Sequence, residues 1–167
     1  AAMNVVGKDF GAKKIFLPQV MLSAEAMREA FIKIKERIPA DSVSNKGTIV
    51  IATVKGDIHD LGKNIVSALL ENNGFKVIDL GKDIDKEEII KAAIDNKADM
   101  IGLCSLMTTT ITQIDEVIAE LNKSEYSTKV MIGGAVVTQE YADNVGADAY
   151  APDGVEAVEI AKKLINK

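Results

Sequence analysis

Tryptophan is absent from this 167-residue chain, histidine and cysteine occur once each, and proline occurs only three times. A single cysteine, Cys104, excludes an internal disulfide and cannot build a zinc or iron-sulfur site alone, which suits a reducing compartment. Scarce proline, with 47% hydrophobic and 27% charged residues, excludes collagen-like and disordered classes. No apolar run approaches the roughly eighteen residues needed to cross a bilayer, and the start has no charged-then-apolar signal segment. A cytoplasmic protein with no membrane partner is expected. Positive charge is also short: 20 basic against 25 acidic residues give a net charge of -5. The two signs are interspersed, so no basic stripe can follow a phosphate backbone, and nucleic acid is excluded as a partner.

What is present is alternation. From Gly47 onward, short β-branched runs alternate with amphipathic stretches, the pattern of βαβ units around a parallel sheet. Strands are expected at 48–54, 75–80, 100–103, 129–132 and, weakly, 147–150. The first, third and fourth are nearly continuous apolar runs, as strands covered on both faces must be. Helices are expected over 62–73, ending at Gly74, and from Asp85, which forms a capping-box-like start with Glu88. A third starts at a Thr110 or Thr112 cap and carries Ile114, Val117, Ile118 and Leu121. A last one covers 154–165. Right-handed crossovers then give a flavodoxin-like, Rossmann-type α/β fold with five parallel strands and a ligand crevice at their carboxyl ends.

The first forty residues differ. Val20, Met21, Ala24, Met27, Phe31 and Ile34 make an apolar stripe on one long helix, and Pro39, Asp41, Ser42, Ser44 and Asn45 read as a polar linker. A lone helix with a wide apolar face must dock on something. The expected division is therefore 1–40 as the C-terminal part of a truncated helical domain, 41–47 as linker, and 48–167 as the α/β domain.

The segment after the first strand, Lys55-Gly56-Asp57-Ile58-His59-Asp60-Leu61-Gly62-Lys63-Asn64, lies where open parallel sheets bind ligands. It is not a Walker A loop, because Gly56 and Gly62 enclose five residues, Asn64 replaces the hydroxyl, and Asp57 and Asp60 repel phosphate. It lacks the closely spaced glycines of a dinucleotide fingerprint. A phosphoacceptor receiver is also excluded, since the third strand ends in Cys104 and Ser105 rather than aspartate. His59, the only histidine, sits on this turn. A neutral imidazole is a common metal ligand, and Asp57 two residues earlier can reach its other nitrogen. Gly62 removes a side chain where something flat would lie against the backbone. On residue chemistry alone, the pair fits equally a metal ligand and a loop histidine steadied by a neighbouring carboxylate.

The run Asp57-x-His59-x-x-Gly62, within the string Ala52 to Val66, resembles the cobalamin-binding motif of methionine synthase and of the corrinoid proteins serving methanol and methylamine methyltransferases. Cys104-Ser105-Leu106 aligns with that family's Ser-x-Leu element and Gly133-Gly134 with its paired glycines. Val6 to Gly11 and Phe16 to Val20 are similar to the end of its helical cap. The resemblance implies a cobalamin whose own benzimidazole leaves cobalt and enters a channel in the α/β domain while His59 becomes the lower metal ligand. It implies that Asp57 bonds the distal ring nitrogen, that Thr110 completes the relay, and that Asp60 and Gly62 belong to the binding loop. Leu106, Thr108 and Thr110 would line the channel, and Gly133 and Gly134 would let the nucleotide tail pass. Cys104 departs from the family's serine, with Ser105 as a neighbouring hydroxyl. Phe10 and Leu17 would shield the upper face.

The function so implied is a carrier, not catalytic alone, that shuttles methyl groups between a substrate:corrinoid methyltransferase and a methyl-acceptor methyltransferase, with a reductive activase as a further partner. A methionine synthase module would need attached substrate domains. A mutase module lacks the Phe-Leu-Pro-Gln segment, and a cobalamin-dependent sensor would need a DNA-binding domain.

Overall fold

The computed structural model describes residues 2–35 and 46–165. Two helices come first, α1 (Ala2–Gly11) and α2 (Leu17–Lys35). Then follow β1 (Thr48–Thr53), α3 (Leu61–Asn72), β2 (Lys76–Asp79), α4 (Lys86–Asp95), β3 (Met100–Cys104) and α5 (Thr112–Lys123). The chain closes with β4 (Lys129–Gly133), α6 (Gln139–Val145), β5 (Ala149–Ala151) and α7 (Gly154–Ile165).

The strands form one parallel sheet in the order β2-β1-β3-β4-β5, which is the expected flavodoxin-like order. All six residues of β1 are buried, because helices cover both faces. Successive side chains point to opposite faces. Val50, Ala52, Ile101, Leu103 and Ile132 therefore pack with Ile89, Ile114, Val117 and Ala142 of α4, α5 and α6. Ile49, Met100 and Met131 pack with Leu69, Leu70, Ala157, Val158 and Ala161 of α3 and α7. The register aligns Thr53 with Cys104, Cys104 with Gly133, and Gly133 with Ala151. The carboxyl ends of four strands thus meet at one edge.

Several expectations are corrected. The N-terminal region holds two helices rather than one, since the chain breaks after Gly11 and turns through Lys13 at a φ of 59°. Val20 is buried, but Met21 stays exposed, and the side chains of Ala24, Phe31 and Ile34 lie outside the described residues. So do Pro39, Asp41, Ser42, Ser44 and Asn45 of the expected linker. Asp85 occupies the N-cap of α4 without a side-chain cap bond, because its carboxylate pairs with Lys55 at 3.2 Å. The N-cap of α5 is Ile111, not Thr110 or Thr112; the Thr110 hydroxyl is committed elsewhere. The short α6 was not anticipated, although its ends are written in sequence. Thr138 accepts from the Tyr141 N–H, and Gly146 closes the helix at a φ of 76°.

Candidate cofactor site

At the end of β1, Val54 still bridges to Ile84, and its N–H donates to the Cys104 carbonyl at 3.1 Å. The chain then turns through Gly56 at a φ of 80°, a left-handed conformation that favours glycine. This turn drives the Asp57 side chain inward to 0% exposure while the His59 side chain stays 49% exposed. Asp57 Oδ1 lies 2.8 Å from His59 Nδ1 and accepts the His59 backbone N–H at 3.0 Å. Asp57 Oδ2 accepts the Leu106 N–H at 2.7 Å and the Thr110 hydroxyl at 3.0 Å, with Met107 N–H and the Ser105 hydroxyl at 3.3 and 3.4 Å.

Burial works against ionisation of Asp57. The backbone donors at Leu106 and His59, and the side chains of His59 and Thr110, outweigh it and hold the carboxyl at about 2, below its usual 3.8. An ionised carboxylate at Nδ1 fixes the proton there and leaves the Nε2 electron pair free. Among the described residues, Nε2 has no hydrogen-bond partner. The Thr53 hydroxyl, 3.1 Å from the His59 carbonyl, ties the same loop back to β1.

A cavity of about 640 Å³ lies beside this loop, between the N-terminal helices and the carboxyl ends of β3, β4 and β5. Its size falls in the range of cofactor and ligand pockets. Cys104 and Leu106 line it, as do Gly133 and Gly134, and Phe10, Leu17 and Val20 form its wall from the helical side. Phe10 and Leu17 remain 44% and 43% exposed. Cys104 faces the cavity as a neutral thiol, since burial pushes it up to about 12.

Other expected site residues fall elsewhere. Ser105 is fully buried with its hydroxyl turned to Thr110 and Asp57, so it belongs to the carboxylate network rather than to the cavity beside Cys104. Thr110 joins the same network, and Thr108 is exposed outside the cavity. Asp60 is the N-cap residue of α3, makes no side-chain cap bond, and lies 4.0 Å from Lys82.

The two glycine elements differ. A Cβ on Gly134, at a φ of 129°, would sit 1.9 Å from the Ser105 carbonyl oxygen, and one on Gly133 would sit 2.9 Å from the Ala151 carbonyl. The chain's own backbone therefore demands glycine at both positions. Gly62 is the opposite: a Cβ there meets no protein atom within 4 Å. Nothing in the protein requires glycine at 62, so the open space fits a ligand lying against the start of α3. The donor set points the same way. Among the described residues, no group of three or more His, Cys, Asp or Glu side chains is arranged to hold a metal. A metal ligated by His59 must therefore bring its other ligands with it, as a macrocycle does.

Sequence reasoning missed one buried cluster. Lys63, with its side chain 1% exposed, places Nζ 2.5 Å from both Asp79 oxygens and 2.7 Å from Asn64 Oδ1. Ser67 also donates to Asp79, at 3.0 Å. Lys63 lines the cavity and pins the first turn of α3 to the end of β2. The only sequence signal was a lysine at the start of an amphipathic helix, a position that ordinarily faces solvent.

A parallel sheet with an exposed, carboxylate-backed imidazole at its carboxyl edge and an apolar cavity alongside defines a cofactor-binding α/β protein. The chain belongs to the family of B12-binding domains, which it matches over residues 47–161, with a second B12 binding domain match over residues 1–35. Its cofactor is accordingly a corrinoid. It is 48% identical to dimethylamine corrinoid protein 1 of Methanosarcina acetivorans over 99% of this chain and 79% of that protein. Among solved structures, it is similar to the methanol:cobalamin methyltransferase complex MtaBC of Methanosarcina barkeri. The TM-score there is 0.82 at 38% identity, over 98% of this chain and 63% of that one. It is also similar to the monomethylamine corrinoid protein of the same organism, with a TM-score of 0.66 at 35% identity over 97% of this chain and 78% of that one. No helix among the described residues is long and apolar enough to cross a membrane.

Proposed function

We propose that this protein is a methyl carrier that holds cobalamin with His59 as the lower cobalt ligand and with the nucleotide tail of the cofactor in the cavity lined by Cys104, Leu106, Gly133 and Gly134. The observation that carries the reading is the imidazole of His59, half exposed, with Nδ1 on a buried carboxylate and Nε2 unpartnered. The cofactor, when bound, supplies a cobalt centre able to accept a methyl group from one protein and yield it to another. Everything else is done by this chain. His59 donates the Nε2 electron pair, and Asp57 holds the ring in the donating tautomer and raises its basicity. Thr110, donating to Asp57 Oδ2 at 3.0 Å, helps keep that carboxylate ionised and aimed, and the Ser105 hydroxyl is bonded to Thr110 behind it at 2.9 Å.

Gly62 would leave the start of α3 free of a side chain where the macrocycle lies, and the Asp60 carboxylate, which makes no cap bond, would stand at the same edge of the loop. Phe10 and Leu17 cover the opposite side and exclude water until a partner displaces them. The helices of residues 2–35 serve as a cap over the cavity and residues 48–165 as the cofactor domain. The partners are a substrate-specific corrinoid methyltransferase and a methyl-acceptor methyltransferase, with a reductive activase to restore the carrier after oxidation. The names of the similar proteins, corrinoid proteins for dimethylamine and monomethylamine and a methanol:cobalamin complex, support a small methylated substrate on the first partner.

The test is His59→Ala loaded with hydroxocobalamin. The variant is expected to retain the cofactor through its tail but to shift the visible spectrum to that of a cobalt centre without imidazole. An unaltered spectrum rules out axial ligation by His59.

A further inference from the structure

The backbone that carries Asp57 is gripped from outside its own loop. After β2, the chain passes through Gly81 and continues parallel to the end of β1, where the Thr53 N–H donates to the Gly81 carbonyl at 3.0 Å and the Ile84 N–H to the Thr53 carbonyl at 3.2 Å. Between these contacts sits Asp83, at a φ of 58°, a left-handed conformation that is uncommon for a residue with a side chain. In that conformation Asp83 makes two bonds to the histidine loop. Its Oδ1 accepts the Gly56 N–H at 2.8 Å, and its own N–H donates to the Asp57 carbonyl at 3.1 Å. Lys55 lies 3.7 Å from the same Oδ1 and steadies the charge.

These two bonds hold the Lys55–Gly56 and Asp57–Ile58 peptide units, which bracket the Gly56–Asp57 step. The side chain of Asp57 is held from the opposite direction by Leu106 and Thr110 of the β3–α5 segment. The first grip fixes the backbone from which Asp57 and His59 project; the second fixes the carboxylate. Backbone strain retained beside a functional loop, and matched by a specific pair of bonds, is the mark of a positioning device.

We propose that Asp83 is a positioning residue for His59: by holding the Gly56 and Asp57 peptides from the β2–α4 loop, it sets the direction in which the imidazole is presented. The inference rests on the reading of His59 as the lower ligand.

Two substitutions separate carboxylate from backbone. Asp83→Gly keeps the N–H and tolerates the left-handed φ, so it is expected to fold, but it removes the acceptor for Gly56. Asp83→Asn keeps an oxygen acceptor and also tolerates that conformation. In the cofactor-free full chain, Asp83→Gly is expected to speed hydrogen exchange of the Gly56 amide about tenfold, the loss of one hydrogen bond, and Asp83→Asn to stay within about twofold of wild type. After loading with hydroxocobalamin, the ratio of imidazole-ligated to unligated spectrum is expected to fall about tenfold in Asp83→Gly and to recover in Asp83→Asn.

Unchanged exchange at Gly56 in Asp83→Gly overturns the grip itself. Accelerated exchange with a wild-type spectrum overturns the positioning role, provided that His59→Ala alters the spectrum. If His59→Ala leaves the spectrum unaltered, the ligand reading falls first and the role of Asp83 falls with it.

Discussion

Gly62 and Gly134 are predicted to respond oppositely to the same added methyl group. In Gly134→Ala, the new Cβ starts 1.9 Å from the Ser105 carbonyl oxygen and 2.7 Å from its carbon, at a φ of 129°. Real contacts of this kind begin near 3.0 Å, so one backbone must withdraw by about 1 Å. Ser105 cannot do so freely: its N–H donates to the Gly133 carbonyl at 3.1 Å, and its hydroxyl is bonded to Thr110 at 2.9 Å. Conformational strain plus the displaced bonds should cost about 3–5 kcal/mol, lowering the Tm of the cofactor-free protein by roughly 10 °C for a chain of this size.

In Gly62→Ala, no protein atom lies within 4 Å, and the position is the second residue of α3. Alanine is the better helix former, so the Tm should hold or rise by about 1–2 °C. Cobalamin should nevertheless bind at least about tenfold more weakly, since overpacking a close contact costs about 1–3 kcal/mol. Thermal denaturation followed by circular dichroism reads the first effect, and titration calorimetry with hydroxocobalamin reads the second. A Gly134→Ala Tm within about 2 °C of wild type would refute the backbone argument. Undiminished cofactor affinity in Gly62→Ala would refute the claim that the space over α3 is reserved for a ligand.

Three further outcomes follow from the buried groups. Asp57 is held at about 2 against 3.8 in an unfolded chain, a depressed value, so its contribution is present above pH 4 and lost as pH falls through 2. Urea denaturation of the cofactor-free protein should show about 2 kcal/mol of stability disappearing across that window, and Asp57→Asn should show a correspondingly flatter dependence. An equal acid loss in both proteins would count against the hydrogen-bond account. Lys63→Ala leaves Asp79 and the Asn64 side-chain oxygen without their cation and should cost about 3 kcal/mol in the same assay; a loss below about 1 would make the pair dispensable. The Cys104 thiol, raised by burial to about 12 from 9.0, should react with iodoacetamide at pH 8 roughly a thousandfold more slowly in the native than in the urea-unfolded protein. Equal rates would place it on the open surface.

The sheet was legible in the sequence because its strands are short and buried on both faces. Ile49 to Val54 and Met100 to Leu103 have no competing helical period, and their flanking helices carry apolar residues every third or fourth position. The Asp57-x-His59 turn was legible for a related reason. Two chemically reactive residues within three positions must share one loop whatever the fold, and the end of β1 places that loop at the ligand edge. The pairing of Nδ1 with the carboxylate is accordingly a local fact, written in spacing.

Tertiary structure decided what reaches across the sequence. That Ser105 and Thr110 turn to Asp57 instead of the cavity depends on β3 lying beside β1, 48 and 53 residues away in sequence. That Gly134 is demanded by the Ser105 carbonyl, while Gly62 is demanded by nothing in the protein, is invisible in a string where both are simply glycine. Lys63 and Asp79 look like surface charges until α3 packs on β2, and Asp83 looks like a loop residue until its φ and its two bonds are known. Local spacing fixes which groups share a turn. Only the packing of one strand against the next fixes which distant groups complete the site, because hydrogen bonds and steric exclusion act over a few ångströms of space, not over positions along a chain.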